Sequence, residues 1–309
     1  LRKKEQVLLF LNRRGYATFV LCRECGFAFG CPRCTTSLTY HAQERRLLCH
    51  SCDFRRRPPS LCPRCGGFQL RYLGFGTQQV EEVVKRHFPQ AKVARMDRDT
   101  TKGKEALKLI LKALEEGRID ILVGTQMIGK GHDFPRITLV GVISADLSLH
   151  LPDFRAAERT FALLTQVTGR AGRGAVFGEA LIQTYNPDHY CLQAAFSQDY
   201  EALYRKELPL RAERALPPTA SLIRLLVTSP GEEEAKAAAE QLASLLQGPF
   251  HLDGPAPCLL YKARRRFRWQ LLVKGEEGAI REAVLEALKR FAASSSVKVE
   301  ADVDPVELL

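Results

Sequence analysis

Four Cys-x-x-Cys pairs constrain this chain more than any other feature of its sequence. They are Cys22/Cys25, Cys31/Cys34, Cys49/Cys52 and Cys62/Cys65, in a chain of 309 residues with 10 cysteines. A Cys-x-x-Cys turn presents two thiolates on one side, and two facing turns complete a tetrahedral Zn²⁺ site. The spacing therefore predicts two zinc ions. Because four thiolates leave no open position for water, both ions are expected to be structural rather than catalytic.

The sequence leaves the pairing of these turns open, since three arrangements can be drawn. The nested arrangement joins Cys31/Cys34 to Cys49/Cys52 across a ribbon-like spacing, whereas joining neighbours leaves only residues 26–30 between turns. A disulfide framework is the alternative to zinc. No secretory signal is recognisable, and the remaining Cys191 and Cys258 stand singly. Both features favour a reducing compartment and thus zinc.

The charge balance points towards a polyanionic partner. Lys and Arg outnumber Asp and Glu by 46 to 35, which gives a net charge of +11, a surplus that suits nucleic acid but also fits an ordinary basic surface. Arg45–Arg46 and 55–57 concentrate this charge in the cysteine region, which could serve equally as a nucleic-acid contact or as a platform for proteins. The longest near-continuous apolar stretch, 137–145, is far shorter than the ~20 residues of a membrane span.

Two hydrophobic patterns flank and follow the cysteines. The first predicts a parallel α/β sheet with strands at 6–11, 69–73, 91–96, 119–124, 137–145 and 179–184 and helices at 77–88, 102–117 and from 156. The second predicts the β-α-β-β-α-β order of a ferredoxin-like domain at 222–229, 231–246, 257–262, 268–274, 276–293 and 297–303. We therefore expect an α/β lobe at 1–21 and 67–195, an inserted zinc region at 22–66 and a C-terminal domain at 196–309.

A short motif near the end of the predicted lobe suggests phosphate chemistry. Gln166, Gly169, Arg170, Gly172 and Arg173 form Gln-x-x-Gly-Arg-x-Gly-Arg at the end of a predicted helix. Arginines presented in this way can neutralise charge on a transferred phosphoryl group, although two such arginines alone could simply favour the helix dipole. The glycine-rich, hydroxyl-bearing loop after the strand at 119–124 favours the phosphate interpretation.

These two segments resemble motifs V and VI of superfamily 2 helicases, which lie in the second RecA-like lobe. The position of the cysteines makes the resemblance more specific. They are inserted between Leu-Phe-Leu-Asn-Arg-Arg-Gly-Tyr (9–16) and Tyr-Leu-Gly-Phe-Gly-Thr-Gln-Gln-Val (72–80). The sequence Asp-Val-Asp-Pro (302–305) follows near the end. Over essentially its whole length the chain resembles the primosomal protein N′ (PriA) family of bacterial replication-restart helicases. The resemblance implies nested zinc pairing, with zinc 1 on Cys22, Cys25, Cys62 and Cys65 and zinc 2 on Cys31, Cys34, Cys49 and Cys52.

The resemblance also implies roles for individual residues. Arg170 and Arg173 would reach ATP bound on the other lobe, and Gln166 would couple the γ-phosphate to closure of the lobes. The nucleotide would be contacted by Gly131 and Asp133. The phosphates of the DNA strand would be held by Gly76, Thr77, Thr125, Gln126, Arg13 and Arg14.

The activity implied is that of an ATP-dependent 3′ to 5′ DNA helicase, which recognises stalled or branched forks and helps load the replicative helicase. Its cofactors would be two structural Zn²⁺ ions and ATP with Mg²⁺. Its partners would be forked DNA, single-stranded-DNA-binding protein, primosome proteins and the helicase loader. A cytoplasmic, nucleoid-associated monomer without membrane contact is expected. The alternatives are a zinc-ribbon nucleic-acid-binding module or an assembly platform, both without ATPase activity.

The sequence contains neither a phosphate-binding loop nor an acidic magnesium motif, both of which belong to the first lobe of such helicases. It begins with Leu1, and its two methionines are Met96 and Met127. We therefore expect a piece of a longer protein that is inactive as an ATPase by itself.

A basic hairpin is predicted in the C-terminal domain. Because side chains alternate along a strand, Phe267 and Trp269 should face the core while Arg266, Arg268 and Gln270 form an exposed row. Such a row suits the acidic tail of single-stranded-DNA-binding protein. The alternatives are a contact with branched DNA and a merely solvated hairpin.

Overall fold

The computed structural model describes the chain in three sheets joined by helices. It covers residues 5–11, 19–32, 37–41, 45–49, 53–73, 77–97, 100–101, 104–125, 134–172, 177–292 and 294–308. One sheet is parallel and the other two are antiparallel. The structure thus has the α/β lobe, the inserted cysteine-rich region and the C-terminal α+β domain that the sequence predicts.

The chain begins with a strand of the lobe, β1 (Gln6–Leu11), and then enters the cysteine-rich region. The strands of that region are β2 (Phe19–Cys22), β3 (Thr39–His41), β4 (Arg46–Leu48), β5 (Arg55–Arg56) and β6 (Leu70–Leu73). They form an antiparallel sheet in the order β5-β4-β3-β2-β6. The prediction that the strand at 69–73 belongs to the parallel sheet is wrong, because β6 pairs with β2 in this antiparallel sheet. The sheet thus extends beyond the expected bounds of 22–66, and those bounds stay a prediction.

The lobe is completed after the cysteine-rich region. Its elements are α1 (Thr77–His87), β7 (Val93–Met96), α2 (Lys104–Glu115), β8 (Ile121–Gly124), β9 (Ile137–Ile143), α3 (Asp146–Leu149), α4 (Ala156–Thr168), β10 (Glu179–Ile182) and α5 (Tyr190–Ser197). The five strands are parallel in the order β10-β9-β1-β8-β7. Parallel strands end at one edge of a sheet, which brings the loops after β1, β7, β8 and β9 to the same side.

The core of the lobe follows from the alternation of side chains along its strands. Leu8 and Phe10 of β1 are fully buried together with Leu122 of β8 and Val140 of β9. Leu111 and Leu114 of α2 and Phe161 and Leu164 of α4 pack against this face. The apolar runs that predicted these strands are therefore the residues that hold the sheet to its helices.

The C-terminal domain has the predicted β-α-β-β-α-β order. A linking helix, α6 (Tyr200–Glu213), precedes β11 (Ser221–Ser229), α7 (Glu232–Leu245), β12 (His251–Ala263), β13 (Arg266–Gly275), α8 (Glu277–Arg290) and β14 (Lys298–Val303). The sheet order is β12-β13-β11-β14. The sequence did not predict α3, α5 or α6.

Among the described residues, no helix is both long enough and apolar enough to span a membrane.

Candidate zinc and nucleotide sites

The outer four cysteines converge on one point. The sulfurs of Cys22, Cys25, Cys62 and Cys65 all lie within 4.8 Å of one another. The distance from Cys22 Sγ to Cys65 Sγ is 3.7 Å, and that from Cys25 Sγ to Cys62 Sγ is 3.6 Å. Sulfurs bound at about 2.3 Å from a tetrahedral zinc ion stand roughly 3.8 Å apart. The four side chains therefore fit one zinc ion closed by thiolates.

The main chain around the second turn of this site donates to both of its sulfurs. Burial acts to raise the pKa of the Cys62 thiol, but bonds from the main-chain N–H groups of Cys65 and Arg64, together with bonds from the Cys25 and Cys65 thiols, lower that pKa to about 7. The Gly67 N–H acts to lower the pKa of Cys65, but bonds with the neighbouring thiols and burial raise it to about 12. The Gly67 N–H donates to Cys65 Sγ at 3.4 Å. Such N–H donors orient sulfur ligands and tune a metal site.

The inner site is described only in part. Cys31 and Cys49 are buried in the small core of the cysteine-rich region, with Val20, Phe29 and Leu47. Cys34 and Cys52 lie outside the described residues. The second zinc ion, with these four ligands, therefore stays a prediction.

The first cysteine turn is docked on the lobe by its glycine. Gly26 has φ of +72°, and a Cβ atom there would collide with the Tyr185 carbonyl oxygen. The amide of Asn186 donates to the Gly26 carbonyl at 2.6 Å, and Arg23 donates to the Tyr185 hydroxyl at 3.1 Å. The glycine beside Cys25 thus permits both the turn and its close approach to the lobe.

Two residues of the predicted phosphate motif are exposed at the C-terminal end of helix α4. Ala162, Gln166 and Gly169 are exposed, at the spacing of three to four residues that marks one helical face. Gly172, with φ of +71°, packs so closely on Gly178 that neither position has room for a Cβ atom. Gly172 therefore brings the segment after α4 directly against the chain leading to β10.

Arg170, which follows Gly169 in the motif, is buried in this structure, with only 8% of the residue exposed. Four residues after Gln166, Arg170 would share the exposed face if the helix continued. The helix ends at Thr168 instead, and the Arg170 N–H bonds to the Val167 carbonyl at 3.1 Å in a tighter turn. Arg173 lies outside the described residues, and its contact with ATP stays a prediction, as does that of Arg170.

The predicted phosphate contacts of the DNA strand lie where strands of the lobe end. Thr77 is the first residue of α1, and its buried hydroxyl donates to Asp97 Oδ2 at 2.5 Å. Its main-chain N–H is therefore the group that could hold a phosphate. Thr125 follows β8, and its N–H bonds to the Met96 carbonyl at 3.3 Å, which leaves its hydroxyl for such a role. Arg13, Arg14, Gly76, Gln126, Gly131 and Asp133 lie outside the described residues.

Sequence reasoning missed Asp97, which bonds to Thr77 and Thr100 at the edge where the strands of the lobe end. Its side chain is buried and also accepts the Thr100 N–H at 3.0 Å, while Arg95 Nε lies 3.5 Å from Oδ2. An Asp three residues before Thr at the end of a strand is a turn signal that could have indicated part of this arrangement. The bond to Thr77, twenty positions away, has no local signal.

The hairpin of the C-terminal domain agrees with its prediction on one face only. Trp269 is buried in the core, and Phe267 packs against it, as expected. Gln270 is 3% exposed, so its place in an exposed row is wrong. Its register partners in the neighbouring strands are Leu226 and Ala256, so it lies in the middle of the sheet. Arg266 and Arg268 are half-buried, and each donates to main-chain carbonyls.

Three family models match the chain in succession. "PriA DNA helicase Cys-rich region (CRR) domain" matches 31–57, "Helicase conserved C-terminal domain" matches 73–175, and "Primosomal protein N C-terminal domain" matches 212–306. Their order along the chain is that of the cysteine-rich region, the rest of the lobe and the C-terminal domain. The cysteine-rich region is therefore a zinc-binding one.

Curated relatives agree with these models. The chain is 45% identical to Replication restart protein PriA of Bacillus subtilis, over 99% of its own length and 39% of that protein. The proteins of the same name from Synechocystis and Treponema pallidum are each 41% identical, over 99% and 98% of this chain and 38% and 47% of those proteins. The chain thus spans two fifths to about half of the relatives it matches. With its helicase lobe, zinc-binding cysteines and C-terminal domain, it belongs to the PriA family of replication restart proteins.

Proposed function

We propose that this chain supplies the second lobe, a two-zinc region and the C-terminal domain of an ATP-dependent replication restart helicase. The observation that carries this proposal is the motif on α4, which exposes Gln166 on a helix that leads directly into Arg170 and Arg173. A purely structural helix end has no need of this combination of Gln, two Arg and two Gly. The relatives named Replication restart protein PriA support the same activity.

In the proposed reaction, ATP and Mg²⁺ are held by a phosphate-binding first lobe, and this chain acts from the opposite side. Arg173 places a guanidinium near the transferred phosphoryl group and neutralises the charge that develops there. Gln166 links that group to closure of the two lobes, and Gly131 and Asp133 contact the nucleotide. Arg170 acts with Arg173 on the same group.

The DNA strand is held at the edge where the strands of the lobe end. The Gly76–Thr77 main chain, Thr125, Gln126, Arg13 and Arg14 contact its phosphates. Phosphate contacts provide grip without reading base sequence, as translocation along a strand requires. We propose 3′ to 5′ movement and a preference for stalled or branched forks, where the protein restarts replication by helping to load the replicative helicase.

The proposed partners follow from the C-terminal domain and from the family. Arg266 and Arg268 are the groups that would bind the acidic tail of single-stranded-DNA-binding protein, while the buried Gln270 would act by supporting them. The other proposed partners are primosome proteins and the helicase loader. The proposal places the protein in the cytoplasm at the nucleoid, as a monomer.

The sharpest test is Arg173→Ala in the full-length protein. DNA-stimulated ATP hydrolysis should fall by at least ~10³-fold while ATP binding is nearly intact, because an arginine finger acts on the transition state. Arg205→Ala is the matched control, since Arg205 is an exposed arginine of α6 that pairs with Glu201 on its own helix. Unchanged turnover in Arg173→Ala would instead favour a zinc-ribbon binding module or an assembly platform without ATPase activity.

A further inference from the structure

The segment that follows β14, residues 304–308, lies against the lobe. It is tied to its own domain by the Asp304 N–H, which donates to the Leu222 carbonyl at 2.8 Å. Four residues later Leu308 is 5% exposed, in a cluster with Phe154, Leu216, Leu222 and Leu272. Phe154 belongs to the lobe and directly precedes α4. The 304–308 segment therefore bridges the C-terminal sheet and the approach to α4.

Polar contacts reinforce this bridge at the first turn of α4. Asp153 is buried, and its Oδ2 lies 2.8 Å from Arg159 Nη1 and 3.5 Å from the Leu308 N–H. Arg159 also donates to the Val306 carbonyl. A buried carboxylate is tolerated only while such partners surround it. Asp153, Arg159 and the 304–308 segment therefore depend on one another.

The linking helix α6 holds the same turn from another direction. Arg211 lies 2.7 Å from Glu158 Oε2 of α4 and 3.0 Å from Glu207 Oε2 of its own helix. Its guanidinium also lies over the Phe154 ring, 5.3 Å from the centroid. The start of α4 is thus fixed by groups from α6 and from the 304–308 segment.

The other end of this helix carries the phosphate motif. A helix of 13 residues such as α4 is about 20 Å long and moves nearly as one body. We infer that Asp153, Arg159 and Leu308 are positioning residues for the motif, so that the C-terminal domain sets where Gln166 and Arg173 stand during ATP hydrolysis. This inference rests on the proposed function of the motif.

The test measures steady-state ATP hydrolysis by the full-length protein with saturating DNA. Leu308→Asp and Arg159→Ala should each lower kcat by roughly tenfold or more, since a displacement of about 1 Å can cost 10²-fold in rate. The KM for ATP should stay within about twofold, because ATP is held mainly by the other lobe and the variants lie away from Gly131 and Asp133 in the sequence. Leu308→Met and Arg159→Lys should restore most of kcat.

Val306→Asp is the matched control. It places the same charge in the same segment, but the Val306 side chain is 78% exposed and only its carbonyl makes the contact. Melting temperatures verify folding, and Leu308→Ala replaces Leu308→Asp if the latter does not fold.

Unchanged kcat in the Leu308 and Arg159 variants, or a raised KM with unchanged kcat, overturns the inference. If Arg173→Ala is inactive while these variants are active, the inference alone fails. If Arg173→Ala is itself active, the proposed function fails as well.

Discussion

The cysteine-rich region and the C-terminal domain are two antiparallel sheets attached to one lobe, and they are stabilised in different ways. The C-terminal sheet packs α7 and α8 on one face, over a buried core that includes Leu225, Leu271 and Val273. The sheet of the cysteine-rich region has no helix among its described residues, and its buried core includes two cysteines, Cys31 and Cys49. A sheet without helices buries too little apolar surface, and metal binding then supplies the folding free energy.

Both regions are attached to the lobe by apolar and polar contacts. The C-terminal domain is joined through an apolar cluster that includes Phe154 and through the polar contacts at the start of α4. The cysteine-rich region is joined by the fully buried Leu21, which packs against Leu147, and by hydrogen bonds such as that between Ser37 Oγ and His150 Nδ1 at 3.2 Å. The cysteine-rich region differs in its thiolate ligands, which depend on metal, and in its contact with a histidine, which depends on pH.

Removal of metal should separate the two regions most strongly. Structural Zn²⁺ supplies about 10 to 16 kcal/mol of local folding free energy. We therefore expect a chelator to unfold residues 22–65 while the C-terminal domain keeps its protection, as measured by hydrogen exchange of peptides from each region. Metal analysis should find two zinc ions per chain before chelation. Well-folded protein with one zinc ion or none would refute the two-zinc prediction.

A core substitution should have the converse effect on the C-terminal domain. Leu271→Ala removes a fully buried side chain and should lower the free energy of unfolding of that domain by about 2 to 5 kcal/mol, measured by denaturant titration. Leu285→Ala is the control, since Leu285 is exposed on α8, and should change it by less than about 0.5 kcal/mol. Zinc content should be unaffected. Loss of zinc from Leu271→Ala would mean that the two regions do not fold independently.

The smallest expected effect is a pH dependence at the contact between the cysteine-rich region and the lobe. Burial and the neighbouring His189 lower the pKa of His150 to about 3. The unfolded chain, with a His pKa near 6.5, therefore binds one more proton between these values, and stability is lost as the pH falls below about 6.5. From pH 7 to 5.5 this amounts to about 1 kcal/mol.

His150→Gln removes the titrating group and should flatten this part of the stability curve. The measurement is the unfolding free energy of both proteins at each pH, with zinc content verified throughout. An equal slope in the two proteins would show that His150 does not contribute to the pH dependence.

Local patterns in the sequence were sufficient for most of the fold. The apolar run 6–11 became β1, the alternation after Leu216 became the β-α-β-β-α-β order, and the cysteine spacing identified the two turns that supply the outer zinc site. Each of these features arises from neighbours in the chain, because strand and helix periodicities and a Cys-x-x-Cys turn are local. Which two turns face each other is not local, and the sequence left that pairing open. The motif on α4 was likewise recognisable from its residues alone.

Contacts between distant segments were decided only by the tertiary structure. Nothing near Gln270 in the sequence indicates that it is buried, and nothing near Thr77 indicates its bond to Asp97. The same holds for Leu308, which meets Phe154 across half the length of the chain. Side-chain periodicity specifies which face of an element a residue occupies. What covers that face depends on packing between elements, which no local pattern records.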